Sequence, residues 1–173
     1  MRNNLRTGLL LFGTCMFLAL LPGCVPPWAL SKYYSTENEP LQREIQQSTP
    51  AEQSRLKSIV DSYIGTRYVS GGTSRDGVDC SGFVYIVYKE LNNIKLPHTA
   101  ADLYSASTTV EQDSAHPGDL VFFSGNISGS VNHVGIFMGY GVFAHASTSL
   151  GVTYNSLGEK YFRERFLGIR RYP

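Results

Sequence analysis

The chain has 173 residues, 42% of them hydrophobic and 17% charged, a globular composition that leaves room for one domain and excludes wholesale disorder. Its 15 basic residues are nearly balanced by 14 acidic ones, so it lacks the charge excess with which proteins hold nucleic acid.

Arg2 and Arg6 precede an apolar run from Leu9 to Leu21, too short to span a membrane comfortably and built like an export signal. The run ends in Leu21-Pro22-Gly23-Cys24, which resembles the lipobox of bacterial lipoproteins. The expectation is a signal peptide over residues 1–23, a lipid on Cys24, and anchorage in the bacterial cell envelope on the periplasmic face of the outer membrane. Cleavage there leaves 150 residues, with 13 basic against 14 acidic, and Cys80 as the one cysteine that carries no lipid. An exported chain with one thiol cannot close an internal disulfide, so Cys80 becomes a candidate for chemistry. A buried, inert thiol is the competing reading. Residues 24–48 hold Pro26, Pro27 and Pro40 among Glu, Asn, Gln and Ser, and read as a flexible tether with a reach of roughly 25–30 Å.

The folded part begins at Thr49. Thr49-Pro50-Ala51-Glu52 reads as an N-cap, a first-turn proline and a capping-box glutamate. Leu56, Ile59, Val60, Tyr63 and Ile64 follow at helical spacing until Gly65. A glycine-bearing loop, Thr66 to Gly72, leads to Asp79-Cys80-Ser81-Gly82-Phe83-Val84, the start of a helix running to Leu91. Phe83, Val84, Ile86, Val87, Tyr88 and Leu91 make this helix apolar nearly all round, so it should be the buried one. Cys80 falls in its first turn, where free N–H groups and the positive dipole end favour a thiolate.

A short helix from Thr99 to Ser105 comes next, capped by Thr99. His116-Pro117-Gly118-Asp119 is a turn that launches the strand Leu120–Phe123, and Ser124 to Val131 reads as an exposed loop. His133–Met138 and Val142–Ala146 form a hairpin around Gly139-Tyr140-Gly141, followed by strands at Gly151–Asn155 and Phe166–Arg171. Helices first and strands later give an α+β fold with an antiparallel sheet.

Of the four histidines, His116 belongs to a surface turn and His98 to a loop or helix entry, while His133 taken alone is a satisfied strand-end residue. Hairpin geometry adds a constraint. A three-residue loop pairs Met138 with Val142 and His133 with Ser147, which sets His145 diagonally beside His133 on one face. A two-residue loop throws the histidines onto opposite faces. Gly141 suits the left-handed position of the longer loop, so the same-face register is expected.

Asp79-Cys80-Ser81-Gly82-Phe83-Val84, Pro117-Gly118-Asp119-Leu120-Val121-Phe122-Phe123, Asn132-His133-Val134-Gly135-Ile136 and His145-Ala146-Ser147 resemble, in that order, the NlpC family of papain-like bacterial cell-wall cysteine endopeptidases. The likeness runs from Ala51 to the C-terminus and marks residues 49–173 as the peptidase domain. It implies a papain-like NlpC fold, with N-terminal helices packed on an antiparallel β-sheet and the nucleophile at the start of a buried helix. It also implies that Cys80 is the nucleophile, His133 the general base and acid, and His145 the polar third member. Tyr68 resembles the tyrosine whose hydroxyl lines the oxyanion site. Asp79 and Ser81 match positions that in some relatives contact the amino end of a bound peptide, beside plainer roles as helix cap and first-turn residue. His98 stands where many relatives carry arginine, a titratable ring in place of a fixed charge.

The substrate class implied is the peptidoglycan stem peptide, cut between γ-D-glutamate and meso-diaminopimelate, by a monomer without metal or cofactor. Its expected partners are that peptide and the membrane, through the lipid anchor, with no nucleic acid. Three competitors stand beside this reading. They are an amidase or acyltransferase of related fold acting on lipid-linked substrates, a non-catalytic wall-associated lipoprotein, and a Cys/His zinc site.

Overall fold

In the computed structural model, which describes residues 50–125 and 129–173, the chain enters through helix α1 (Pro50–Asp61). The signal peptide, Cys24, the tether and the Thr49 cap lie outside the described residues. Helix α1 buries only Leu56 and Val60, four residues apart on one face, and packs them towards α2 (Cys80–Asn92). Two short paired strands, β1 (Thr73–Ser74) and β2 (Gly77–Val78), bridge the helices. They are too short for any periodicity to announce them.

Helix α2 starts sharply because Asp79 is extended and its Oδ1 accepts the Gly82 N–H at 2.7 Å, the N-cap bond. It stops at Asn93, whose left-handed backbone (φ 56°) turns the N–H back to the carbonyls of Lys89 and Tyr88. Phe83, Val84 and Val87 are fully buried, whereas Tyr85 and Ile86 are half-buried, so the apolar surface is wide without closing all round. Helix α3 (Ala100–Ala106) is capped as expected, Thr99 Oγ1 accepting the Asp102 N–H at 3.1 Å.

Six antiparallel strands follow: β3 (Thr108–Val110), β4 (Leu120–Ser124), β5 (Val131–Gly139), β6 (Val142–Ser147), β7 (Gly151–Ser156) and β8 (Phe166–Arg171). They are ordered β3-β8-β4-β5-β6-β7. Ser124 and Val131 are therefore strand residues, and the loop between them is shorter than its Gly/Ser composition implied. The strip Leu120-Val121-Phe122-Phe123 is apolar at every position because both of its faces are covered. Leu120 and Phe122 join Val134, Ile136, Ala144 and the residues of α1, α2 and α3 in one core. Val121 and Phe123 join Phe137, Phe143 and Ile169 in another, with Phe162 of the short helix α4 (Lys160–Arg163).

The β5–β6 hairpin reaches the expected register by an unexpected route. Its closing pair is Gly139 with Val142, leaving Tyr140 and Gly141 as a two-residue loop, both with positive φ (52° and 73°). Alone, that loop would separate the histidines. A bulge between Phe137 and Gly139 inserts one extra residue, and Ile136 then pairs with Ala144 and Phe137 with Phe143. The same-face alignment of His133 and His145 is restored by the bulge, not by a longer loop.

His116 also differs from the surface residue expected. Its Nδ1 accepts from Arg171 at 2.9 Å, and Arg171 grips the buried Asp119 carboxylate at 2.7 and 2.9 Å. The proline turn thus ties the start of β4 to the end of β8, and His116 is a half-buried structural residue.

Candidate active site

Cys80 is fixed by its helix. It occupies the first position of α2 and is 8% exposed, with the Asp79 carboxylate held between two backbone donors, Gly82 N–H and Gly71 N–H at 2.7 and 2.8 Å. Its Sγ lies 4.0 Å from the Asn132 carbonyl oxygen, while the Val134 amide favours its ionised form. The thiol therefore rests against the β5 backbone on both sides of His133. Ser81 Oγ lies 2.8 Å from the His98 carbonyl oxygen and 3.0 Å from Asp79 Oδ1, two acceptors that share its single proton. Ser81 links the cysteine turn to the entry of α3. A cleft opens at this point, lined by Tyr68, Asp79, Cys80, Ser81, His98 and Asn132. A separate apolar depression around Pro50, Met138 and Tyr140 carries none of the candidate catalytic side chains.

His133 and His145 stand together. His133 Nε2 and His145 Nδ1 share a hydrogen bond of 2.9 Å, with the rings nearly perpendicular. Gly135 makes room for this pair, since a Cβ there would come within 3.2 Å of His145 Cβ and 2.8 Å of the Ala144 carbonyl oxygen. His145 is 3% exposed and packs between Phe143 and Phe162. On its far side His145 Nε2 lies 2.9 Å from Asn155 Oδ1, and Asn155 Nδ2 donates to both carboxylate oxygens of Glu159. Neither Asn155 nor Glu159 was anticipated. The β6–β7 register could have pointed to Asn155, which pairs with Phe143 two residues before His145.

The charge states follow from burial. Desolvation raises the Cys80 thiol above its ordinary value, with the Asp79 charge acting the same way. The amides of Val134, Ser81 and Cys80 pull it down only in part. The helix N-terminus thus acts in the expected direction but is outweighed, and the resting thiol is protonated. Burial, then the neighbouring His145, lowers His133 to about 3. His145 is lowered by burial, opposed by Asn155, the Ala146 backbone and Glu159. The site at rest is a neutral thiol with two neutral imidazoles.

This has a measurable consequence for stability. In the unfolded chain His133 takes up a proton near its ordinary value of 6.5, whereas the folded protein resists until about 3. The contribution is fully present above about pH 6.5 and is lost progressively as pH falls towards about 3. The wild-type thermal midpoint should fall on acidification from about pH 7 to about pH 5, and less steeply in His133→Gln. Equal slopes would contradict a ring held neutral in the folded protein.

Tyr68 is half-buried on the cleft wall, where burial and then the proximity of an ionised Cys80 and of the Asp79 carboxylate push its hydroxyl upward. The structure therefore brings Cys80, Tyr68, Asp79, Ser81 and His98 to one cleft, with His133 and His145 paired on the adjoining strands. Among the described residues, no three His, Cys, Asp or Glu side chains converge in a way that would hold a metal ion.

A cysteine opening a buried helix, laid against an antiparallel sheet that carries a histidine pair, defines a papain-like α+β domain. The chain belongs to the NlpC/P60 family, whose model matches residues 65–171. It is 40% identical over 116 residues to a probable endopeptidase NlpC homolog of Haemophilus influenzae, covering 67% of this chain and 61% of that protein. It is 39% identical over 113 residues to a gamma-DL-glutamyl hydrolase of Bacillus subtilis, covering 65% of this chain and 27% of that one. The chain thus spans less than two thirds of the length of either relative. A crystal structure of an NLP/P60-family protein similar to lipoproteins, from Staphylococcus aureus, superimposes with a TM-score of 0.64 at 30% identity, covering 83% of this chain and 47% of that one.

Proposed function

We propose that the protein is a peptidoglycan hydrolase, a cysteine endopeptidase that cuts stem peptides at the γ-D-glutamyl–meso-diaminopimelate bond. The observation that carries this reading is the placement of Cys80 against β5 on either side of His133, with His133 hydrogen-bonded to His145. The gamma-DL-glutamyl hydrolase named among its relatives supports the choice of bond.

With Nε2 of His133 engaged by His145, Nδ1 is the atom left to take the Cys80 proton. The thiolate then attacks the amide carbonyl carbon, and the oxyanion is met by the Cys80 backbone N–H and the Tyr68 hydroxyl. Each such donor is typically worth about 3–4 kcal/mol of barrier. The His133 imidazolium protonates the departing amine as the C–N bond breaks, leaving a thioester on Cys80. His133 next takes a proton from water, whose oxygen replaces the sulfur and releases the acid. His145 holds the base ring throughout. Asp79 and Ser81, with part of their bonding capacity spent on the helix cap, meet the amino end of the peptide. His98 lies at the same cleft, so a substrate carboxylate there would be met by a titratable ring.

The protein works as a monomer at the cell envelope. A signal peptide over residues 1–23, lipid on Cys24 and a tether over 24–48 place domain 49–173 within reach of the wall from the periplasmic face of the outer membrane. The leader-like sequence supports this placement.

Incubation of purified sacculi and soluble muropeptides with the protein, followed by mass spectrometry, should reveal new D-glutamyl γ-carboxyl and diaminopimelyl amino termini. Termini at another stem amide would overturn the bond and retain the endopeptidase. Intact muropeptides alongside turnover of an acylated, lipid-linked amide would overturn both in favour of an acyltransferase or amidase.

A further inference from the structure

We propose that Asn155 and Glu159 are positioning residues that fix the ring tautomers of His145 and His133 and so leave a lone pair on Nδ1 of His133. This rests on the assignment of His133 as the base, and it extends the site by two residues in the direction away from the cleft.

A carboxylate only accepts, so Glu159, whose Oε1 and Oε2 lie 3.1 and 2.9 Å from Asn155 Nδ2, must face the amide's NH2 group. Glu159 cannot easily swing away, because its Oε1 also accepts the Ser156 N–H at 2.8 Å. With the NH2 group committed to Glu159, Asn155 presents its carbonyl oxygen to His145 Nε2 at 2.9 Å. That oxygen only accepts, so His145 carries its proton on Nε2. A neutral imidazole has one donor and one acceptor nitrogen, so His145 Nδ1 accepts. Its partner at 2.9 Å, His133 Nε2, must then donate, and the lone pair of His133 is left on Nδ1.

The direction of every bond is thus set by the one group that cannot donate. Were the Asn155 amide turned over, its NH2 would face His145 Nε2, each proton would move to the other nitrogen, and Nδ1 of His133 would be blocked. Burial gives this arrangement its force. His145 is held in an apolar pocket between Phe143 and Phe162, and no other side chain is hydrogen-bonded to its Nε2 among the described residues. The chain of partners crosses from β5 to β6 to β7 and ends at Glu159, the N-cap residue of α4. Helix α4 accordingly has a task beyond covering the sheet.

The test uses the purified full chain, labelled with 15N in its histidine rings, and needs no substrate for its first readout. Both His133 and His145 should appear as Nε2–H tautomers at neutral pH. A proton on Nδ1 of either ring would overturn the proposal. Asn155→Ala should lose the single Nε2–H state at His145 and lower kcat on stem-peptide fragments ~10–100-fold, with KM within about two-fold. This is less than the ~10⁴-fold cost of losing the group directly orienting a catalytic histidine, because Asn155 acts one ring further out. The double variant Asn155→Asp with Glu159→Gln reverses the bond between 155 and 159 while keeping an acceptor towards His145, and should restore the Nε2–H state and most of the activity. Asn155→Ala with unchanged tautomers, whatever its thermal midpoint, would reduce these residues to a structural tie and overturn the proposal. If Asn155→Ala fails to fold, the wild-type spectrum and the double variant still decide. Wild-type protein with the expected tautomers but no peptide cleavage would instead sink the endopeptidase reading alone.

Discussion

Cys80→Ala is expected to lower kcat/KM for stem-peptide cleavage by ~10⁴-fold or more, about 5–6 kcal/mol of transition-state stabilisation, while the thermal midpoint moves by no more than a few degrees. The two halves of this result have separate causes. Cys80 is almost fully buried and the alanine methyl occupies the same first carbon, so only the sulfur's contacts disappear. On the proposed mechanism, catalysis loses its nucleophile altogether. Cys80→Ser should be nearly as inactive, since a buried hydroxyl is far harder to ionise than a thiol that burial already holds protonated. Circular dichroism and melting curves beside the kinetics would establish that the fold survives. Undiminished turnover in Cys80→Ala would remove Cys80 from the mechanism.

The protonated resting thiol bears on how such a site is recognised. Fast alkylation at neutral pH is a common signature of an activated cysteine, and the sequence, with Cys80 in a first helical turn, encourages that expectation. Here burial exceeds the pull of the helix amides. Slow alkylation would therefore not mark the site as a relic. On the proposed mechanism, activation awaits substrate, when a neutral His133 takes the Cys80 proton ahead of attack.

What the sequence made legible was set by how local each signal is. The α2 start, the Thr99 cap and the doubly buried β4 strip are written in consecutive residues, and each stands where it was expected. The histidine pairing was legible only through hairpin arithmetic, which reached the right register from the wrong loop. Tyr140 is a non-glycine residue with positive φ, and Met138 looks like an ordinary strand residue, so neither the tight turn nor the bulge has a sequence signature. Asn155 and Glu159 carry no local signal, for a different reason. Their role depends on the β6–β7 register and on a four-residue helix, α4, too short to show periodicity. His116 reads as a surface residue because its partner, Arg171, is 55 residues away.

Gly82→Ala should destabilise the protein by about 2–4 kcal/mol, lowering its thermal midpoint by roughly 5–15 °C, and should cut activity ~100-fold or more. Helix propensity alone gives the opposite sign, because replacing a helical glycine by alanine ordinarily stabilises by roughly 0.5–1 kcal/mol. Packing decides the matter. A Cβ on Gly82 would lie 1.9 Å from the Gly72 carbonyl oxygen and 3.2 Å from Asp79 Oδ1. The first obstacle is backbone, not the end of a flexible side chain, and it is already committed, since Gly72 O accepts the Asp79 N–H at 3.1 Å. Relieving the clash means driving the Gly71-Gly72 turn away from α2. That motion breaks the two bonds that tie the turn to Asp79, Gly71 N–H to its carboxylate and its own N–H to Gly72 O, and so strips the capping residue of its outer support. Cys80 is the residue between the cap and the clash, so its Sγ cannot keep its seat against Asn132 and Val134. The glycine three positions into the helix is thus what allows loop and helix to close tightly enough to aim the thiol. A Gly82→Ala protein that melts at or above the wild-type temperature would show that the turn yields freely and that the cysteine owes its placement to something else.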